Sequence, residues 1–266
     1  MSVLGFIGTG NMGGALAKAA AGHVAGSDIL LANRTPAKAE ALARQLGAVT
    51  VSNAEAAARA DYLFLGVKPQ MMAGMLADIA PVLAARRDRF VLVSMAAGLT
   101  AEKISVLAGG DYPVIRIMSN TPAAIGQGMV LYCTGGGVTP EELTHFLELM
   151  QDAGRFSALA EHLIDAGSAV AGCGPAFVDL FLEALADGGV ACGLPRALAL
   201  EYAAQMTAGA AQLFLASDKH PGQLKDEVCS PGGSTIPGVR TLEQRAFRAA
   251  VTDAVIAAWE RTKQLG

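Results

Sequence analysis

Up to about residue 160 short apolar runs alternate with alanine-rich helical stretches, and beyond that point the runs stop. "VLGFIG", "DILLANR", "AVTVS", "DYLFLGVKP", "RFVLVSMAA" and "PVIRIMS" are short and apolar on consecutive residues, the pattern of strands buried on both faces. Between them lie "GGALAKAAAG", "PAKAEALARQLG", "MMAGMLADIAPVLA" and "AEKISVLAG". Such alternation predicts a parallel sheet with helices on both sides. "GMVLYCTG" and a helix from about Pro140 to Ala153 extend the same unit. From Glu161 onward every pattern is helical: "EHLIDAGSAVAG", "GPAFVDLFLEALADGGVACG", "PRALALEYAAQMTAGAAQLFLAS" and one long final helix. These helices carry more apolar surface than they can hide alone, which predicts a subunit interface and an intertwined dimer.

Gly8-Thr9-Gly10-Asn11-Met12-Gly13 stands directly after the strand "VLGFI" and directly before a helix. G-x-G-x-x-G alone is a weak pattern, but in this context the glycines serve, in order, a tight turn, close approach of a pyrophosphate, and packing of helix on sheet. The expected fold class is therefore α/β, an N-terminal Rossmann-type parallel-sheet domain over residues 1–160 followed by an all-helical dimerisation domain over 161–266. An NAD-specific site places a carboxylate at the end of the second strand for the ribose 2'-hydroxyl. Here that strand ends in Asn33-Arg34-Thr35. Arg34 suits a 2'-phosphate through a charge-assisted contact, with Asn33 and Thr35 adding neutral hydrogen bonds, so NADPH is preferred and NADH is the weaker alternative. Arg34 as a solvated surface residue and Thr35 as a helix cap are the plain alternative.

Composition removes other classes. A net charge of -4 with few aromatic residues leaves no basic, base-stacking surface for nucleic acid. Mean hydropathy is +0.39, spread along the chain, and no uninterrupted apolar run reaches the length of a bilayer span. "AFVDLFLEALADGGVACG" comes closest and is broken by Asp179, Glu183 and Asp187. The N-terminus leads straight into a strand without a signal-peptide pattern, so a soluble cytoplasmic protein without membrane contact is expected. Cys133, Cys173, Cys192 and Cys229 form no C-x-x-C pair and have no histidine at ligand spacing, so no metal is expected and the thiols read as buried.

Near the C-terminus, "SPGGSTI" (Ser230 to Ile236) precedes the last helical pattern. Ser or Thr there can cap a helix. The same free N–H groups, with the helix dipole, also attract a carboxylate or phosphate. "GVKPQ", "SMAAG" and "MSNTP" follow strands and belong on the ligand side of an open parallel sheet. Lys68, within the first, reads as a general acid, a cofactor-phosphate contact or a surface charge.

Together, "FIGTGNMGGA", "NRTPAKAEAL", "FLGVKPQ", "VIRIMSNTPAAIGQGM", "GCGPAFVDLFLEALADGGVACGLPR" and "HPGQLKDEVCSPGGSTIPGVRTLE" resemble the pyrroline-5-carboxylate reductases over essentially the whole chain. The resemblance implies NAD(P)H-dependent reduction of 1-pyrroline-5-carboxylate to proline by an intertwined homodimer, with decamers common in the family. It assigns Ile7, Gly8, Thr9, Gly10, Asn11 and Met12 to the pyrophosphate loop, and Asn33 with Arg34 to the 2'-phosphate end. Asn53 matches the adenosine ribose region; Val67, Lys68, Pro69, Ala96 and Ala97 match the nicotinamide half. Ser230, Gly233, Ser234 and Thr235 match the substrate loop, with Asp218 nearby, and Thr235 is the candidate that orients the ring nitrogen. Ser119, Cys173 and Pro237 depart from the usual pattern, and Pro237 bears on how the last helix begins. Two other readings stay open: another NADPH-dependent cyclic-imine reductase or 3-hydroxyacid dehydrogenase, and a non-enzymatic NADP-sensing protein. The first would place a Lys or Asp on the interdomain helix, where only Asp179 stands; the second would have no use for an anion-binding turn.

Overall fold

The computed structural model describes residues 2–265. The N-terminal unit is built on strands β1 (Leu4–Ile7), β2 (Ile29–Ala32), β3 (Val49–Thr50), β4 (Tyr62–Leu65), β5 (Val91–Ser94), β6 (Val114–Met118), β7 (Gly128–Gly135) and β8 (Gly154–Ala158). They form one eight-stranded sheet in the order β3-β2-β1-β4-β5-β6-β7-β8. All neighbours are parallel except β6 and β7. Strand order reverses beside β1, and the crevice at that switch point is where such sheets take ligands.

Helices α1 (Asn11–Ala20), α2 (Pro36–Leu46), α3 (Asn53–Arg59), α4 (Pro69–Ala85), α5 (Ala101–Leu107) and α6 (Pro140–Met150) cover the two faces. Phe6, Phe64, Val93 and Ile115 pack against Leu16 of α1 and Phe146 of α6, with the Phe6 and Phe64 rings stacked at 4.2 Å. Ile7, Leu63, Leu65 and Leu92 pack on the other face against Leu76 of α4 and Ile104 of α5. Side chains buried this completely contribute about 2 kcal/mol each. Their strict alternation across the sheet explains why the central strands are apolar on consecutive residues.

Two elements of this unit escape the sequence pattern. α3 has seven residues and too little apolar periodicity, although Ser52 and Glu55 form a reciprocal capping box at its start. β8, "GRFSA", is half polar and exists through its ladder with β7.

α7 (Glu161–Ala171) follows β8 and packs against the N-terminal sheet. Arg116 on β6 is 1% exposed and donates from Nη2 to Asp165 Oδ1 at 2.5 Å, with Nη1 3.6 Å from Glu161 Oε1. Glu161 Oε1 also accepts from the Ala101 N–H at 2.7 Å. At the other end of α7, Asn120 Nδ2 donates to the Ala171 carbonyl at 3.0 Å. The helix thus belongs to the sheet, and the compact units divide at Cys173/Gly174, with residues 257–265 returning to the N-terminal unit.

The second unit contains α8 (Gly174–Ala191), α9 (Arg196–Leu215), α10 (Pro221–Val228), α11 (Thr235–Gln244) and the first part of α12 (Phe247–Lys263). The single final helix expected from sequence is broken at Ala246, which has φ 57°. Ala186, Ala199 and Ala203 are buried here, while Leu180, Leu200, Tyr202, Met206, Leu213 and Leu215 are exposed. Such a face calls for a second chain. By length and composition the stretch Glu161–Ala191 would suffice to cross a membrane, a longer run than the α8 segment alone provides. A turn at Gly172-Cys173 divides it, and α7 is tied to the sheet by the polar contacts just described. The cysteines are not buried in the single chain: Cys192 is exposed and the other three are half-buried. Burial, and secondarily Glu161, push the Cys133 thiol up to about 11, which keeps it protonated and unreactive at neutral pH.

Candidate active site

The strand ends β1, β2 and β4 open onto a cleft of ≈ 670 Å³. The glycine loop forms one wall, and its three glycines are separable by what a side chain would meet. Gly8 has φ +101°, and a Cβ there would lie 2.5 Å from the Gly66 carbonyl oxygen. A Cβ on Gly13 would collide with the Gly8 carbonyl oxygen. Gly10 would meet nothing within 4 Å, so its backbone faces open space at the start of α1. No side chain caps α1 and no acidic residue lies in its first turn. Uncapped N–H groups, the helix dipole and a bare glycine fit a pyrophosphate.

Asn33 ties this loop to the end of β2. Its Oδ1 accepts from the Thr9 N–H at 3.2 Å and its Nδ2 donates to the Thr35 carbonyl at 3.0 Å, so it shapes the loop in addition to facing the cleft. Arg34 is exposed at the cleft mouth, its Nη1 3.8 Å from Met71 Sδ. Thr35 occupies the cap position of α2 but its hydroxyl makes no cap hydrogen bond. Arg34, Lys38 and Lys68 line the cleft together with a single carboxylate, Asp78. The positive excess suits a phosphorylated dinucleotide.

Of the residues expected at the cofactor, Ile7, Gly8, Gly10, Asn33, Arg34, Thr35, Asn53, Val67 and Lys68 line this cleft. Thr9 and Asn11 line an adjacent one of ≈ 620 Å³ together with Gly10 and Lys38. Met12 lies in the first turn of α1 and Pro69 opens α4; neither lines the cleft. Ala96 is buried at 1% exposure, and it and Ala97 lie in the loop after β5, outside the lining. Lys38 and Asp78 are cleft residues that sequence reasoning missed. Lys38 could have been found four residues after Arg34, in the first turn of a helix without acidic residues there. Asp78 gave no signal, since it sits in the middle of a helix far along the chain.

The substrate-loop candidates lie in the second unit. Ser230-Pro231-Gly232-Gly233 is a β-turn: the Gly233 N–H donates to the Ser230 carbonyl at 3.0 Å, and Gly232 has φ +71°. Proline followed by a glycine of positive φ is the type II pattern. A Cβ on Gly233 would stand 2.6 Å from Ser230 Oγ, a contact that rotation of the serine side chain relieves, so Gly232 with its positive φ is the glycine the turn requires. The turn delivers the chain to α11, whose first residue is Thr235. Ser234 holds the cap position without a side-chain cap bond. Side-chain capping therefore does not account for the serine and threonine, and among the described residues no side chain accepts from the first N–H groups of α11. Pro237 falls in the first turn, where no backbone donor is required, and its carbonyl accepts from Thr241 Oγ1 at 3.0 Å, so α11 begins normally. Asp218 is exposed between α9 and α10, while nearby His220 caps α10 by accepting from the Gly222 N–H at 3.1 Å.

Two family models match the chain: pyrroline-5-carboxylate reductase dimerisation over residues 161–265, and NADP oxidoreductase, coenzyme F420-dependent, over residues 3–98. The pyrroline-5-carboxylate reductase of Escherichia coli (strain K12) is 40% identical over 265 residues, covering 98% of this chain and 97% of that protein. The Pisum sativum enzyme of the same name is 40% identical and covers 98% and 95%. The crystal structure of Plasmodium falciparum pyrroline carboxylate reductase with NADP bound matches with a TM-score of 0.90 at 31% identity, over 100% of this chain and 98% of that one. The dimerisation match falls on the helices whose apolar faces are exposed. With both the nucleotide-binding and the helical segments matched at full length, the chain belongs to the pyrroline-5-carboxylate reductase family.

Proposed function

We propose that this chain reduces the C=N bond of 1-pyrroline-5-carboxylate to give L-proline, the last step of proline synthesis, with NADPH preferred over NADH. The observation that carries the reading is 40% identity over 98% of the chain with enzymes of that activity, spanning both the cofactor cleft and the SPGG turn. When bound, NADPH supplies a hydride to the imine carbon, and the ring nitrogen, protonated from solvent before binding, keeps that proton as the amine. The chain's own residues bind and orient. The α1 N-terminus holds the pyrophosphate, Arg34 the 2'-phosphate, and the N–H groups entering α11 hold the substrate carboxylate. Thr235 Oγ1 holds the ring nitrogen in line for transfer. Ser230, Gly233, Ser234 and Asp218 shape that end of the site. The chain works as a homo-oligomer; assembly into decamers and a cytoplasmic location belong to the same proposal.

Following NADPH absorbance with 1-pyrroline-5-carboxylate tests the reading. Turnover with NADPH exceeding that with NADH is expected, and absence of turnover with both cofactors would overturn it. Arg34→Ala is expected to raise KM for NADPH about tenfold more than KM for NADH, the low end for a charged hydrogen bond because Arg34 is exposed. Equal effects on the two cofactors would show that Arg34 does not read the phosphate.

A further inference from the structure

Along the cofactor cleft, one face of α4 presents Met71, Gly74, Met75 and Asp78 to the cavity. A Cβ on Gly74 would meet nothing within 4 Å, so the helix has a flat gap there. Methionines flank the gap, and the Arg34 guanidinium lies against Met71. Soft sulfur, a bare glycine and a planar cation make a seat for a flat aromatic base. Beyond the seat stands Asp78, exposed and absent from every ion pair formed among the described residues. From Lys68 to Asp78 the helix axis rises roughly 15 Å, a span that an extended adenosine diphosphate half covers. Helical side chains lean toward the N-terminus, which brings the carboxylate back toward Gly74.

We infer that Asp78 reads the base of the dinucleotide, its carboxylate accepting a hydrogen bond from the exocyclic amino group of adenine. This rests on the cleft being the NADP site. An ionised carboxylate is an acceptor only, so it favours an amino group at C6 of the purine and repels a carbonyl there. Among the other polar side chains on the cleft lining, Ser52 Oγ is bound to Glu55, and the amides of Gln70 and Asn53 can donate or accept.

The test is calorimetric titration with NADP and with its hypoxanthine analogue, in which a carbonyl replaces the amino group at C6. Both ligands carry the same phosphates, so the ratio of their dissociation constants is insensitive to removing a negative charge from the cleft. The unmodified protein is expected to prefer adenine about tenfold, and Asp78→Ala and Asp78→Asn to bring the ratio within about twofold of unity. Equal affinity of the unmodified protein for the two ligands, or a variant that keeps the full preference, overturns the assignment while leaving the NADP site intact. Failure of the unmodified protein to bind either ligand overturns the site and the assignment together.

Discussion

Thr235→Ala is expected to lower kcat for imine reduction about tenfold to a hundredfold, the loss of one orienting hydrogen bond worth about 1.4–2.7 kcal/mol. Thermal stability should move by no more than about 1–2 °C, because the residue makes no cap bond that the substitution could remove. Thr235 opens α11, is half-buried, and its hydroxyl has no hydrogen-bond partner among the described residues. Alanine is, moreover, the better helix former. Under the proposed function the free hydroxyl serves the substrate. Thr235→Ser should keep much of the rate, since the oxygen and not the methyl group is needed, and NADPH affinity should stay unchanged in both variants. If the serine and threonine served only to begin the helix, the outcome would be reversed: a lowered Tm with kcat per folded enzyme intact. Measuring both quantities on one purified variant separates the cases.

Arg116→Met should destabilise the N-terminal unit by about 3 kcal/mol, lowering the first thermal transition by roughly 6–12 °C. Arg116 is the largest side chain buried almost completely, and both of its carboxylate partners lie on α7. Replacing a buried ion pair with apolar groups is often neutral, whereas removing one member strands the other. Asp165 and Glu161 keep 24% and 36% side-chain exposure, so water softens the penalty, and the expectation sits at the low end for a broken buried pair. Adding Asp165→Asn to Arg116→Met should recover part of the loss. Amide exchange should quicken along α7 more than along α1. An unchanged transition with unchanged exchange would mean that α7 is held by apolar packing alone.

Local chemistry made much of the nucleotide-binding half legible. Consecutive apolar residues such as Leu63-Phe64-Leu65 can be satisfied only between two layers of helices, and the glycine loop placed between strand and helix has few other physical uses. The SPGG turn was equally readable, because proline and glycine constrain φ by themselves. α3 was lost because seven residues carry too little periodicity to outweigh their alanine-rich neighbours, even with a capping box. β8 was lost because a half-polar strand is stabilised by its ladder partner and not by its own pattern.

What the sequence determined by itself, then, was most of the alternation of strands and helices in the nucleotide-binding half, the loop for a dinucleotide, and the presence of a turn that leads into α11. Tertiary structure decided where α7 belongs, since the two charges that anchor it meet an arginine on a strand distant in the chain. It decided that the last helix breaks at Ala246, whose positive φ no local residue preference announces. It also decided that Arg34 from the β2 loop, Lys38 from α2 and Asp78 from α4 face one cleft. Dihedral preferences and apolar periodicity act between neighbours and can be read in one pass, whereas a buried cation or a shared cavity is created by packing segments that carry no sign of each other.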